Sequence, residues 1–192
     1  MKMKNLNTNL LFLLLYNSLF FSCTNSNKKT ENTELNSWSN FERKSITILC
    51  ENQKDNAPLF DALKAELEKN NFKIEELKQN NGAGFDNCEE NTIISMKGKG
   101  IRSYFARSSK PAKNTVDYFP DFHLDVFEFP NEKIAREKFE IMDKALQSDG
   151  RFCNGKAPQI LVMNKNEVFL LATRAEMFRG YIEDYAKFIE EN

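Results

Sequence analysis

Leu10 to Phe21 reads LLFLLLYNSLFF, twelve residues that are apolar apart from Asn17 and Ser18. Wound as a helix, such a run extends roughly 18 Å and falls short of the ~30 Å hydrocarbon core of a bilayer. Lys2 and Lys4 precede it and the small residue Ser22 closes it, so residues 1–22 read as a secretory signal peptide. The fold must then be built from the remaining chain, roughly 170 residues, which suffices for one domain with a sizeable core. A mean hydropathy of −0.59 and the lack of a second long apolar run exclude a polytopic membrane protein. The 192 residues carry 27 basic and 28 acidic side chains, evenly mixed, for a net charge of −1. That balance argues against sequence-independent nucleic-acid binding, which needs clustered Lys and Arg, and no nucleic-acid partner is expected.

The end of the apolar run carries a second signal. Leu19-Phe20-Phe21-Ser22-Cys23 resembles the processing site of bacterial lipoproteins, in which a small residue precedes a cysteine. The resemblance covers the first 23 residues or so. Phe20 stands three before the cysteine, where the common pattern has Leu, and Leu19 lies one step further back; boxes of this kind look like those of Bacteroidota. The resemblance implies that Cys23 is diacylglycerylated, that the leader is cut before it and that the new amine is acylated. Two or three acyl chains anchor a protein stably where one does not. Thr24 rather than Asp comes after the cysteine, which in the family's sorting pattern implies the outer membrane. No acidic cluster stands next to it, which implies the periplasmic face.

Residues 23–43 are the lipidated cysteine and a tether. TNSNKKTENTELNSWSNFER, Thr24 to Arg43, is polar apart from Leu35, Trp38 and Phe41. Such a composition buries too little surface to offset chain entropy.

Residues 44–192 read as one α+β domain. Ile46-Thr47-Ile48-Leu49 is a β-branched strand ending at Cys50. Asp55 or Asn56 is placed to cap a helix with Pro58 in its first turn and a stripe of Phe60, Leu63 and Leu67. A strand comes next over Phe72 to Glu76, then a loop over Gln79 to Asn91. Ile93–Met96 and Ile101–Arg107 read as strands about the turn Lys97-Gly98-Lys99-Gly100, a hairpin. Phe122–Phe129 is a strand, and Pro130-Asn131 introduces a helix with the stripe Ala135, Phe139, Met142, Leu146. Ile160–Met163 and Val168–Ala172 form a hairpin, and a last helix over Ala175–Glu190 aligns Phe178, Ile182, Tyr185 and Ile189. The pattern predicts a mostly antiparallel sheet with three helices packed on one face. Two β-α-β-β halves leave a ferredoxin-like or duplicated arrangement open.

Cys50, Cys88 and Cys153 remain after the leader, in a compartment that favours disulfides. Cys88–Cys153 is the favoured pair, because loop cysteines adjust to one another more readily than one at a strand end. His123 is the only histidine, with Asp125 two residues on and on the same strand face. An enzyme built on a Cys–His pair would have to draw on Cys153 or Cys88 with His123. One imidazole without Cys-x-x-Cys or His-x-x-x-His spacing argues against zinc, and no cofactor or metal is expected. Gly82-Ala83-Gly84 completes no phosphate-loop signature, and the acidic run Asp86 to Glu90 lacks calcium-loop spacing. Arg102, Tyr104, Arg107 and Lys110 form the local basic and aromatic cluster, a candidate surface for an anionic envelope component. No catalytic constellation stands out. The reading is a membrane-tethered module that binds an envelope protein or component, in its sharper form an immunity-type lipoprotein, with the Cys–His enzyme as the alternative.

Overall fold

The computed structural model describes residues 43–53, 56–78, 83–148, 153–155 and 157–192. The expected leader, Cys23 and nearly all of the tether lie outside the described residues, as do Asp55 and Gly82. Everything described falls in one compact unit, Glu42–Asn192. In chain order it contains β1 (Lys44–Cys50), α1 (Ala57–Lys69), β2 (Phe72–Glu76), β3 (Gly84–Asn87), β4 (Thr92–Gly98) and β5 (Ile101–Ser108). Next come β6 (Asp121–Glu128), α2 (Glu132–Leu146), β7 (Gln159–Asn164) and β8 (Glu167–Ala172), and a 3-10 turn at Glu176–Phe178 leads into α3 (Arg179–Glu191). The fold is α+β. No helix among the described residues is long and apolar enough to cross a membrane.

The strands form two sheets rather than one. The smaller has the order β1-β4-β3 and the larger β2-β5-β6-β8-β7. All pairs are antiparallel except β1 with β4. Because β1 and β2 belong to different sheets while β6, β7 and β8 share one, the two halves of the chain do not repeat a topology. The glycine-rich turn after β4 is correspondingly not a hairpin: it carries the chain from one sheet to the other. Gly98 sits at φ +125°, where a Cβ would lie 2.1 Å from the Cys50 carbonyl oxygen, and a Cβ on Gly100 would meet the Glu51 backbone at 2.6 Å. Both glycines are therefore required by the close approach of the turn to the end of β1.

Alternation along the larger sheet sends successive side chains to opposite faces, and both faces are used. On one, Leu59, Leu63 and Leu67 of α1 and Ile182, Tyr185 and Ile189 of α3 pack on Phe72, Tyr104, Phe122, Leu124, Phe169 and Leu171. On the other, Ala135, Met142 and Ala145 of α2 join Ile48, Phe85, Ile94 and Met96 of the small sheet over Ile101, Phe127, Val168 and Leu170. The helices thus lie on both sides of the sheet, not on one as the sequence pattern suggests. α2 is shared between the sheets, touching β3 as well as β7 and β8, and this separates it from α1 and α3.

Local signals explain the helix starts. Asn131 accepts a hydrogen bond from the Ile134 amide at 3.0 Å and caps α2. Asn56 occupies the corresponding place before α1 but caps nothing; its side-chain amide donates to the Asn164 carbonyl.

Candidate functional site

The second face of the larger sheet is only half covered. α2 and the small sheet reach as far as Leu161 and Leu170, each of which keeps 8% exposure. Beyond them one row runs across all five strands: Glu75, Phe105, His123, Ala172 and Gln159, paired in register. Glu75 and His123 are exposed, and Phe105, Ala172 and Gln159 are half-buried. In the next row Ser103 stands opposite Asp125.

These side chains organise one another. The Ser103 hydroxyl donates to Asp125 Oδ1 at 2.5 Å. Burial pushes the Asp125 carboxyl above its ordinary value, while the Ser103 hydrogen bond and the nearby His123 pull the other way. The rings of Phe105 and His123 lie 5.1 Å apart at a tilt of 51°. Beyond His123 the patch is bounded by charge: Asp121 pairs with Arg174 at 3.1 Å, and Arg107 lies 5.7 Å from the centre of the Phe119 ring. The surface offers an aromatic face, an imidazole and a half-buried carboxyl in reach of solvent. This set can hold a polar ligand by stacking and hydrogen bonds. As a catalytic triad it fails on geometry, since the Ser103 proton goes to a carboxylate rather than to an imidazole base.

The sequence candidates distribute differently from their order in the chain. Cys88 and Cys153 are joined, with S–S 2.05 Å and Cα atoms 5.9 Å apart. Cys153 Sγ lies against the Asp86 carbonyl and Ser148 Oγ, next to β3 and the end of α2. His123 lies on the same face of the larger sheet as α2, in the uncovered row, where its ring meets Phe105. Cys50 is a free thiol, buried in the core, and desolvation pushes it up to about 12.

The basic cluster is divided by strand alternation. Arg102 and Tyr104 point to the α1 face, where Tyr104 is buried against Phe60 with ring centres 4.4 Å apart and Arg102 lies over the same ring. Arg102 also forms an ion pair with the fully buried Glu167. Arg107 and Lys110 are exposed, the former on the open face and the latter in the loop after β5. The four therefore do not make one ligand surface. Residues two apart share a face and residues one or three apart do not.

Ser103 and Glu75 do not stand out in the sequence as site residues, and Phe105 stands out only as an aromatic between charges. Period-two alternation places Ser103 with Phe105 and His123 with Asp125. Joining the two pairs requires the register Ser103↔Asp125, which a single sequence does not carry. Among the described residues no group of three or more His, Cys, Asp or Glu side chains gathers to hold a metal ion. No protein-family model matches this chain, and no curated protein or solved structure matches it either.

Proposed function

We propose that this chain is an exported lipoprotein of the bacterial cell envelope, anchored in the outer membrane through acyl chains on Cys23 and facing the periplasm. On this reading its globular unit binds a partner protein or another envelope component, in the sharper form a toxin that it neutralises. The observation that carries the binding role is the uncovered row of the larger sheet, where the exposed His123 stands beside the half-buried Phe105 and, one row in, Ser103 holds the half-buried Asp125. The Cys88–Cys153 bond is in keeping with an oxidising compartment. The Cys–His enzyme draws no support from the geometry, because both candidate sulfurs are in the disulfide and the remaining thiol is buried.

The test places a photoreactive side chain at position 123 of the full chain in intact cells, with position 183 on the exposed side of α3 as the comparison. A discrete adduct formed from 123 and not from 183 is expected. No adduct, or the same adducts from both positions, would remove the open sheet face from the account.

A further inference from the structure

Four strands end the two sheets, and three of them are defended. β2 is short and carries Lys73, Glu75 and Glu76. The outer backbone of β3 is occupied by side chains: Asn154 Oδ1 accepts from the Asp86 amide at 2.8 Å, Asn154 Nδ2 donates to the Asp86 carbonyl at 2.9 Å, and Ser148 Oγ accepts from the Cys88 amide at 3.2 Å. β7 lies between α2 and α3. Charges, side-chain caps and covering helices are the usual means of keeping a sheet edge from pairing with another chain.

Among the described residues, β1 has none of these between Ser45 and Leu49. The segment Ser45-Ile46-Thr47-Ile48-Leu49 contains no charge and no proline, and its β-branched residues favour a strand. The Lys44 amide donates to the Asn91 carbonyl beside β4, and the Cys50 carbonyl accepts from Gly100. Even-numbered residues thus turn their backbone inward, and Ser45, Thr47 and Leu49 turn theirs to the open side. No described residue bonds to those outward groups. All three side chains are exposed, and Leu49 is exposed by 66%, an unusual value for leucine in a seven-residue strand.

We infer that the open edge of β1 pairs with the same edge of a second copy of this chain, antiparallel and centred on Thr47. The strand is self-complementary in that register. Thr47 meets Thr47, and Ser45 meets Leu49 in both directions, so every outward-facing residue opposes another and each such pair exchanges two backbone hydrogen bonds. Ile46 opposes Ile48 on the inner face and continues the core of the small sheet. At the ends, Lys44 opposes Cys50 and Arg43, whose guanidinium pairs with Asp86 of its own chain, comes opposite Glu51, so no like charges meet. The product is one six-stranded sheet, β3-β4-β1 joined to its twofold mate, in which the exposed Leu49 gains a neighbour. Twofold, isologous contacts are the commonest form of self-association.

The register makes a sharp test on the full chain. In a directly opposed hydrogen-bonded pair the Cα atoms are about 5.5 Å apart, inside the range a disulfide spans. Thr47→Cys should give a covalent dimer under mild oxidation, with the wild-type chain run alongside to account for its own cysteines. Ser45→Cys should not, since the two Ser45 residues stand roughly 13 Å apart along the paired strands. Thr47→Pro removes an outward amide to which no described residue bonds. It should weaken dimerisation in sedimentation equilibrium at least tenfold with an unchanged far-ultraviolet spectrum. Several results would overturn the pairing: no dimer from Thr47→Cys, equal yields from both cysteine variants, a Thr47→Pro chain that dimerises as before, or cross-linking to a species of another mass. The last would mean that the edge takes a foreign strand. If Thr47→Pro does not fold, the two cysteine variants decide the question alone.

Discussion

Gly98 shows how much one residue can fix. Its φ of +125° and the 2.1 Å between a built Cβ and the Cys50 carbonyl leave no room for any side chain. Gly98→Ala should therefore cost about 2 kcal/mol or more, read as a lower midpoint in urea unfolding, because backbone strain and a steric clash act together. Asp125 makes the corresponding electrostatic case. Its carboxyl is raised in the folded state, mainly by burial, so the folded protein binds a proton that the unfolded chain has already released. Stability contributed through this group is greatest below the ordinary value of 3.8 and falls as pH rises through the raised folded value. Asp125→Asn should abolish that fall, and thermal unfolding monitored from acid to neutral pH would show a flatter profile than wild type. An unchanged profile would mean that Asp125 is not desolvated as described. At this scale the sequence is informative about His123 and Asp125, which strand alternation puts on one face. It is silent on Ser103, because what binds Ser103 to the pair is its place opposite Asp125 across two strands.

Elements with a strong period are legible in the sequence. The stripes of α1, α2 and α3, the alternation in β6 and the continuous apolar run of β8 come from burial against one or both faces of a sheet, which leaves its mark on each segment separately. β3 carries no such mark. Its sequence, Gly84-Phe85-Asp86-Asn87, has one strand-forming residue, and it is a strand because β4 pairs with it on one side and Asn154 and Ser148 satisfy it on the other. The Cys88–Cys153 bond fastens that arrangement. Linking residues 65 apart removes chain entropy worth about 4 kcal/mol in the loop-closure picture. Replacing both cysteines by serine should lower stability by that order, and amide exchange should accelerate first at Phe85 to Cys88 while β6 and β8 remain protected. Uniform acceleration would instead place the disulfide in a unit that opens with the whole domain. The division into two sheets is also beyond the sequence. A Lys-Gly-Lys-Gly turn suits a hairpin and a corner between sheets equally well, and what separates them is the backbone of Cys50 and Glu51 packed against it.

For the whole molecule, the proposed location comes from the leader and the structure describes the globular unit, and the two have to agree on chemistry. On the proposed reading, the leader and the cysteine at its end send the chain out of the cytoplasm and anchor it, and the Cys88–Cys153 bond suits an oxidising compartment. The proposed binding role rests on a partly uncovered sheet face and on an edge that no described residue pairs. The most direct check on this account is the intact mass of the full-length gene product isolated from membranes, unfolded without reductant in the presence of an alkylating reagent. The account predicts a chain that begins at Cys23, is heavier by its acyl groups, and takes up a single alkyl group, on Cys50. A chain that retains residues 1–22, carries no lipid and is alkylated at all four cysteines would contradict both the anchor and the oxidised state.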